Sequence, residues 1–270
     1  MIMKKYKCLF LDLDGCVYRG NKLISGANEA LEKFREKNLQ ILFITNNSSL
    51  TSEGYSRKLR GLSIEARPEE ILTSGEATSL YILRESGPSN VLPITEKGFK
   101  EYCKRMKHTI IKINEWWKAN YVVVGIDRKF NYVKLRAAYK AIMSGSRFLA
   151  TNTDPTIPSD EGFEPGAGSI VAAISKAVGK DPIVIGKPSR IIMEIALQKV
   201  GFNPSEVLVV GDRLDTDILA GKIIGSGTAL VLSGATSKDT VEEASSQIKP
   251  DHIVDNLLEL YRCLLNSSLI

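Results

Sequence analysis

Histidine is scarce in this chain, which has only two, His108 and His252, among 270 residues. The four cysteines form no C-x-x-C pair, and no cysteine or histidine is spaced as in a zinc site. The G-x-S-x-G elbow, the H-E-x-x-H helix and the P-loop are missing as well. If the chain is an enzyme, its acid–base chemistry must therefore depend on carboxylates.

Long apolar runs and strongly basic stretches are also missing. No apolar segment approaches the roughly 20 residues that a membrane-spanning helix needs. The N-terminal residues lead directly into a predicted strand, so we expect no signal peptide. The net charge of +5 comes from scattered lysines and arginines, with no basic stripe among aromatic residues. We therefore expect a cytoplasmic protein with reduced cysteines, whose partners include neither nucleic acid nor a membrane.

Both ends of the chain alternate apolar strands with amphipathic helices. The apolar runs that predict buried strands are residues 7–11, 40–44, 183–185, 207–210 and 228–232, with a last strand at 251–254. Helical periodicity covers residues 27–37, 52–62, 189–200 and 217–224. This alternation predicts an α/β fold with a doubly wound, Rossmann-like parallel sheet.

The middle of the chain has its own pattern of strands and helices. The stretch between residues 44 and 183 is too long to be a single crossover connection. It contains predicted strands at 91–94, 121–124 and 147–150, and predicted helices at 96–107 and 133–144. We therefore predict a smaller α/β domain at residues 80–178, inserted into a core formed by residues 1–79 and 179–270.

Two carboxylates, Asp12 and Asp14, follow the first predicted strand. If the strand stays extended, they point to the same side, and each raises the cost of ionising the other. One could then act as a nucleophile or metal ligand while the other carries a proton. An EF-hand is excluded because Val17 and Leu23 occupy its glycine and glutamate positions. The remaining alternative is an acidic turn that closes the strand.

Three other predicted strands also end in polar residues. Thr45 and Asn46 follow one of them and could bind an anion, or could simply cap the next helix. Lys187 follows another, where the alternative is a surface lysine. An acidic cluster follows the third and suits a hard cation such as Mg²⁺; its members are Asp212, Asp215 and Asp217. Because ligands of open α/β sheets bind outside the carboxyl ends of the strands, these residues predict one shared crevice.

These motifs resemble the four ordered motifs of the haloacid dehalogenase superfamily. They are Asp12-Leu-Asp14-Gly15, Thr45-Asn46, Gly186-Lys187-Pro188 and Gly211-Asp212-x4-Asp217. The residues within and around these motifs, together with Pro165-Gly-Ala-Gly-Ser169, resemble most the NagD-like or p-nitrophenyl-phosphatase-like branch. The resemblance implies that the inserted domain is a cap between the second and third motifs. It also allows a homodimer formed through that cap.

The resemblance implies a role for each motif residue. Asp12 would attack phosphorus, and Asp14 would protonate the leaving group and then activate water. Mg²⁺ would be held by Asp12, Asp212 and the backbone carbonyl of Asp14, while Asp217 would hold a metal-bound water or Lys187. Thr45 and the Asn46 amide would bind phosphate oxygens, and Lys187 would neutralise charge on both phosphate and Asp12. Cys16 departs from the family pattern and could make the site sensitive to oxidation.

The resemblance therefore implies an Mg²⁺-dependent phosphatase that acts on small phosphorylated metabolites. A phosphotransferase such as a mutase would use the same phospho-aspartate chemistry and stays open, as does a non-catalytic binding protein on this fold. A dehalogenase would need neither Asp14 nor the second acidic cluster. The loop at residues 151–168 is expected to select the substrate, unless it is merely a solvated loop. Its polar candidates are Asn152, Asp154 and Glu164, together with Asp160 and Glu161.

Overall fold

The computed structural model describes residues 6–159 and 162–266. Its contacts divide the chain into two compact units. The first unit holds the chain up to Thr45, the segment Ser56–Leu72 and the chain from Lys187 onward. The second unit holds Asn46–Tyr55 and Thr73–Gly186. Most of the second unit is therefore inserted, in chain order, between segments of the first.

The structure contains strands and helices in close alternation. The strands are β1 (Cys8–Leu11), β2 (Tyr18–Arg19), β3 (Lys22–Leu23), β4 (Gln40–Thr45), β5 (Ile71–Thr73), β6 (Asn90–Ile94), β7 (Thr109–Ile110), β8 (Tyr121–Val124), β9 (Arg147–Ala150), β10 (Thr156–Ser159), β11 (Gly162–Pro165), β12 (Ile183–Val184), β13 (Val207–Gly211), β14 (Gly227–Val231) and β15 (His252–Val254). The helices are α1 (Ala27–Glu36), α2 (Ser52–Gly61), α3 (Ser74–Ser86), α4 (Lys97–Arg105), α5 (Tyr132–Met143), α6 (Ala167–Val178), α7 (Arg190–Val200), α8 (Leu219–Ile224), α9 (Lys238–Glu242) and α10 (Leu257–Asn266). The α/β fold class predicted from the sequence is confirmed. None of the helices in the described part of the chain has both the length and the apolar character of a membrane span.

The first unit is built on a six-stranded sheet in the order β15-β14-β13-β1-β4-β5. Strand β1 is apolar and buried along its whole length, as expected for a parallel strand covered on both faces. Leu11, its last residue, pairs in parallel with Val210 on one side and Phe43 on the other. The residues that follow β1, β4 and β13 consequently begin at the same edge of the sheet.

The second unit has its own five-stranded parallel sheet, in the order β12-β9-β8-β6-β7. Its strands bury Val122, Val124 and Ala150 in one apolar cluster with residues of α5 and α6. The predicted loop at 151–168 contains an antiparallel hairpin of β10 and β11, and then the start of α6. Asp160 and Glu161 of that loop lie outside the described residues.

The predicted place of the strand at 183–185 is wrong. Ile183 and Val184 pair in parallel with Leu149 and Ala150 of β9, so β12 belongs to the second sheet. A run of three apolar residues fits the edge of either sheet, and only the pairing partner distinguishes the two.

The limits of the second unit also differ from the predicted 80–178. Its longer segment runs from Thr73 to Gly186, because α3 is one continuous helix across residue 80 and β12 pairs with β9. The segment Asn46–Tyr55 joins this unit as well, since Ser48 and Ser49 accept backbone hydrogen bonds from Phe99 and Gly98.

Candidate active site

Asp12 stands directly after β1, and its backbone amide continues the sheet by donating to the carbonyl of Val210 at 2.9 Å. The backbone is thus fixed up to the residue that carries the carboxylate. About 14 % of the Asp12 side chain is exposed, so the carboxylate can be reached from outside. A carboxylate at the end of a buried strand is held rigidly and is still accessible to a ligand.

Lys187 connects Asp12 to the second acidic motif. Its Nζ donates to Asp12 Oδ1 at 2.5 Å, to Asp217 Oδ1 at 2.6 Å and to the carbonyl of Ile44 at 2.9 Å. The side chain is only 4 % exposed. Burial by itself lowers the pKa of Lys187, but the carboxylates of Asp12 and Asp217 outweigh that effect and raise it. Lys187 is therefore a buried ammonium ion. Of the two predicted roles of Asp217, contact with a metal-bound water or with Lys187, the structure shows the contact with Lys187.

Burial and neighbouring carboxylates make ionisation costly in this cluster. Burial raises the pKa of Asp12 well above its usual range, and Asp217 and Asp212 add to the effect while Lys187 opposes it. Burial and the charge of Asp217 raise the pKa of Asp212 to about 6. A bound cation would relieve this repulsion.

The cluster fits a hard divalent cation. One carboxylate oxygen from each of Asp12, Asp212 and Asp217 lies within 4.8 Å of the others. Asp212 Oδ1 is buried and has no hydrogen-bond partner among the described residues. Oxygen donors without sulfur or imidazole suit Mg²⁺ rather than Zn²⁺. A buried carboxylate oxygen without a hydrogen-bond partner is available to coordinate a cation.

A turn that the sequence analysis missed supports Asp212. The backbone amide of Ala235 donates to Asp212 Oδ2 at 2.6 Å. The same carboxylate lies so close to Gly15 and Gly234 that a Cβ at either position would collide with it. The available signal was a small-residue sequence, Ser233-Gly-Ala235, that follows the predicted strand at 228–232.

Asp14 lies in different surroundings from Asp12. Strand β1 ends at Leu11, and Asp14 instead forms an isolated backbone bridge with Tyr18. Burial raises the pKa of Asp14, and the charge of Lys58 and a hydrogen bond from Tyr18 oppose that rise. The predicted mutual effect of Asp12 and Asp14 is therefore wrong: the acidic neighbours that raise the pKa of Asp12 are Asp217 and Asp212.

Lys58 is a second residue that the sequence analysis missed. Its Nζ lies 3.9 Å from the centroid of the Tyr18 ring, in cation–π geometry, and its charge acts on Asp14. It belongs to α2, where its sequence neighbours give it the appearance of an ordinary surface lysine.

Thr45 is buried as the last residue of β4, and Asn46 follows it directly. The Asn46 side-chain amide donates to both carboxylate oxygens of Asp154 at 3.2 Å. The Asn46 carbonyl accepts hydrogen bonds from Asn152 Nδ2 at 2.7 Å and Ser74 Oγ at 2.5 Å. Two of the residues expected to select substrate thus contact the predicted phosphate-binding segment, within the second unit.

Two predicted residues lie apart from these contacts. Glu164 is half exposed and forms a 3.6 Å ion pair with Arg128. Asp215 is exposed and accepts hydrogen bonds from Arg213, so it is not part of the carboxylate cluster.

Cys16 is fully buried near this cluster. Burial raises the pKa of its thiol well above the usual range, and the charges of Asp12, Asp212 and Asp217 raise it further. The thiol therefore stays protonated and unreactive at neutral pH, which argues against the predicted sensitivity to oxidation.

Comparison with known proteins agrees with this geometry. A family model described as haloacid dehalogenase-like hydrolase matches residues 9–108, and a second HAD-hydrolase-like model matches residues 184–260. A 5'-nucleotidase of Bacillus subtilis, YutF, is 37 % identical over 257 residues, which cover 95 % of this chain and 98 % of that protein.

Two solved structures share the fold of the chain. A 4-nitrophenylphosphatase from Thermotoga maritima has a TM-score of 0.91 and 34 % identity, covering 98 % of this chain and 99 % of that one. A glycerol phosphate phosphatase from Mycobacterium tuberculosis, in complex with magnesium, has a TM-score of 0.89 and 31 % identity, covering 96 % of this chain and 77 % of that one. The chain therefore belongs to the haloacid dehalogenase superfamily, as a NagD-like phosphatase that hydrolyses phosphoric monoesters.

Proposed function

We propose that this chain hydrolyses small phosphomonoesters in an Mg²⁺-dependent reaction, through a phosphate ester formed on the carboxylate of Asp12. The observation that carries the proposal is the position of Lys187, whose ammonium group contacts Asp12 and Asp217 at 2.5 and 2.6 Å. This contact holds one oxygen of Asp12 and partly neutralises a charge that burial makes unfavourable. The second oxygen is then the nucleophile.

The reaction has two steps, transfer of the phosphoryl group to Asp12 and hydrolysis of the resulting ester, and one residue can carry the proton in both. Asp12 attacks phosphorus while the bond to the leaving oxygen breaks, and protonated Asp14 gives its proton to that oxygen. Asp14, now ionised, takes a proton from water as the water attacks the phosphorus and releases Asp12. Burial favours the protonated form of Asp14 that the first step requires. Phosphate and a regenerated pair of aspartates are the products.

The remaining groups would bind the phosphoryl group and neutralise its negative charge. Mg²⁺ held by Asp12, Asp212 and the backbone carbonyl of Asp14 would neutralise the negative charge of the transferring phosphoryl group. Lys187 acts on the same charge from within the protein, and the Thr45 hydroxyl and Asn46 amide would hold the phosphate oxygens. Asp217 keeps Lys187 in place.

The substrate class is proposed as small phosphorylated metabolites. The relatives compared above are named for a nucleotide, a nitrophenyl ester and a glycerol phosphate, which share a phosphomonoester and differ in the leaving group. We assign discrimination between leaving groups to Asn152, Asp154 and Glu164. Pairing of two copies through the second unit and the absence of nucleic-acid or membrane partners stay predictions.

The proposal is tested with the substitution Asp12→Asn and its matched control Asp215→Asn. Both remove one negative charge, but Asp215 is exposed and paired with Arg213, outside the carboxylate cluster. With p-nitrophenyl phosphate and Mg²⁺, Asp12→Asn should abolish turnover, while Asp215→Asn should stay close to wild type. Steady-state release of nitrophenolate and of phosphate measures both. Turnover by Asp12→Asn above about one hundredth of the wild-type rate would contradict the nucleophile, since loss of such a group costs far more.

A further inference from the structure

A backbone turn at Ser233–Ala235, directly beyond β14, holds the carboxylate of Asp212. The Ala235 amide donates to Asp212 Oδ2 at 2.6 Å. The other oxygen, Oδ1, is buried and has no hydrogen-bond partner among the residues that the structure describes. The turn therefore fixes one oxygen of Asp212 and leaves the other available to a cation.

Two glycines enclose this carboxylate. At Gly15 and at Gly234 an added Cβ would collide with Asp212 Oδ2, so the backbone on both sides lies against the carboxylate. Gly15 has φ of 78°, a left-handed conformation that glycine adopts without strain. The close approach of these two backbone segments limits the room in which Asp212 can change its orientation.

Arg19 ties the turn to the rest of the site. Its Nη2 donates to the carbonyl of Ser233 at 2.7 Å and to the carbonyl of Gly234 at 3.2 Å. The Ser233 hydroxyl in turn donates to the carbonyl of Gly15 at 2.8 Å. Arg19 lies in the small hairpin of β2 and β3, which follows the first catalytic motif. All of these contacts lie within the first unit.

We propose that Arg19 is a positioning residue for the metal site: through the Ser233–Ala235 turn it sets the orientation of Asp212. The inference rests on the Mg²⁺ site of the proposed function. A charged donor bonded to two successive carbonyls holds a turn more firmly than neutral hydrogen bonds do. Outer groups that orient a metal ligand typically change metal affinity by about 10- to 100-fold when they are removed.

The test uses Arg19→Met, with Arg35→Met as the matched control. Arg35 lies on α1 and also donates from Nη2 to a backbone carbonyl, that of Glu65 at 2.6 Å, and it pairs with Glu70 at 3.6 Å. Mn²⁺ is titrated into the resting enzyme without substrate, and free Mn²⁺ is followed by its paramagnetic resonance signal. Displacement of bound Mn²⁺ by added Mg²⁺ shows that both ions bind at the same site. We expect a Kd about tenfold weaker in Arg19→Met and unchanged in Arg35→Met.

A second variant distinguishes weaker metal binding from a general folding defect. Ser233→Ala removes only the hydroxyl bond to Gly15 and should weaken Mn²⁺ binding by about two- to fivefold, without a change in Tm in EDTA beyond that of Arg35→Met. Wild-type affinity in both Arg19→Met and Ser233→Ala would overturn the inference. Equal weakening in Arg35→Met would also overturn it, because the effect would then be general. Failure of the proposed function has a different signature: the wild-type enzyme itself would bind no Mn²⁺.

Discussion

Asp14 and Asp12 are separated by one residue, and the charge of Lys187 acts on both, but their other charged neighbours differ. Asp12 faces Lys187 together with Asp217 and Asp212. The pKa of Asp14 is raised by burial and lowered by Lys58, by a hydrogen bond from Tyr18 and by Lys187. Asp217 and Asp212, the carboxylates that raise the pKa of Asp12, are not among the groups that act on the pKa of Asp14. In the proposed mechanism, this difference would let Asp12 attack while Asp14 carries the proton.

The substitution Asp14→Asn should affect substrates according to their leaving groups. Loss of a general acid typically lowers kcat by about 10²- to 10⁴-fold, and an alkyl phosphate should show that full loss. Nitrophenolate leaves without protonation, so p-nitrophenyl phosphate should still phosphorylate Asp12. Rapid mixing should then give a burst of nitrophenolate close to one equivalent per enzyme, followed by slow turnover. Equal losses on alkyl and aryl phosphates, with no burst, would contradict the acid role.

The chemistry-bearing residues could be predicted from the sequence, but several of their partners could not. The carboxylates and the lysine could be found because each of them follows a predicted strand. The structure brings these residues together, namely Asp12, Lys187, Asp212 and Asp217. The pairing of Lys58 with Tyr18 depends on how α2 packs, which leaves no local mark in the sequence. The assumed extension of β1 through Asp14 failed because the chain turns after Asp12, where the Leu13 carbonyl accepts hydrogen bonds from the amides of Val17 and Tyr18.

The edge of the first sheet places these side chains through a shared register. Leu11 pairs with Val210 and Phe43, so β1, β13 and β4 end side by side. The turn beyond β13 is compact, because Asp217 lies so close to Gly211 that a Cβ there would collide with its carboxylate. Lys187 follows β12 of the other sheet, and an apolar run of three residues could not reveal that change of sheet.

Gly211→Ala should therefore damage the site while Gly61→Ala should not. The new methyl group at position 211 would displace Asp217 and with it the 2.6 Å contact to Lys187. Gly61 ends α2 and has nothing within 4 Å of an added Cβ, so alanine fits there and should stabilise by up to about 1 kcal/mol. We expect kcat of Gly211→Ala to fall by at least about tenfold, with the far-ultraviolet circular dichroism spectrum unchanged. Similar kcat values for the two variants would show that the position of Asp217 is not critical.

The carboxylate cluster also affects the stability of the fold. Three carboxylates gather around Lys187, and burial raises the pKa of Asp12 and of Asp212. A carboxyl group with a raised pKa in the folded state binds its proton more tightly there than in the unfolded state. Its contribution therefore favours folding at low pH and becomes unfavourable as pH rises through the folded pKa. The arrangement that is proposed to bind a cation is therefore expected to weaken the metal-free protein at neutral pH.

Asp212→Asn should reverse this balance between stability and metal binding. The pKa of Asp212 is raised from 3.8 to about 6, which corresponds to a penalty on the order of 3 kcal/mol at neutral pH. In EDTA, the wild-type Tm should fall between about pH 4 and pH 7, and Asp212→Asn should show a smaller fall and a higher Tm at pH 7. With Mg²⁺ at about 100 times its Kd, the wild type should gain about 2.7 kcal/mol, while the variant should gain little because one ligand is lost. Thermal unfolding at several pH values, with EDTA or Mg²⁺, measures both effects. Parallel pH profiles in EDTA, or an equal gain from Mg²⁺ in both proteins, would refute the view that Asp212 is held for a cation at the expense of the metal-free fold.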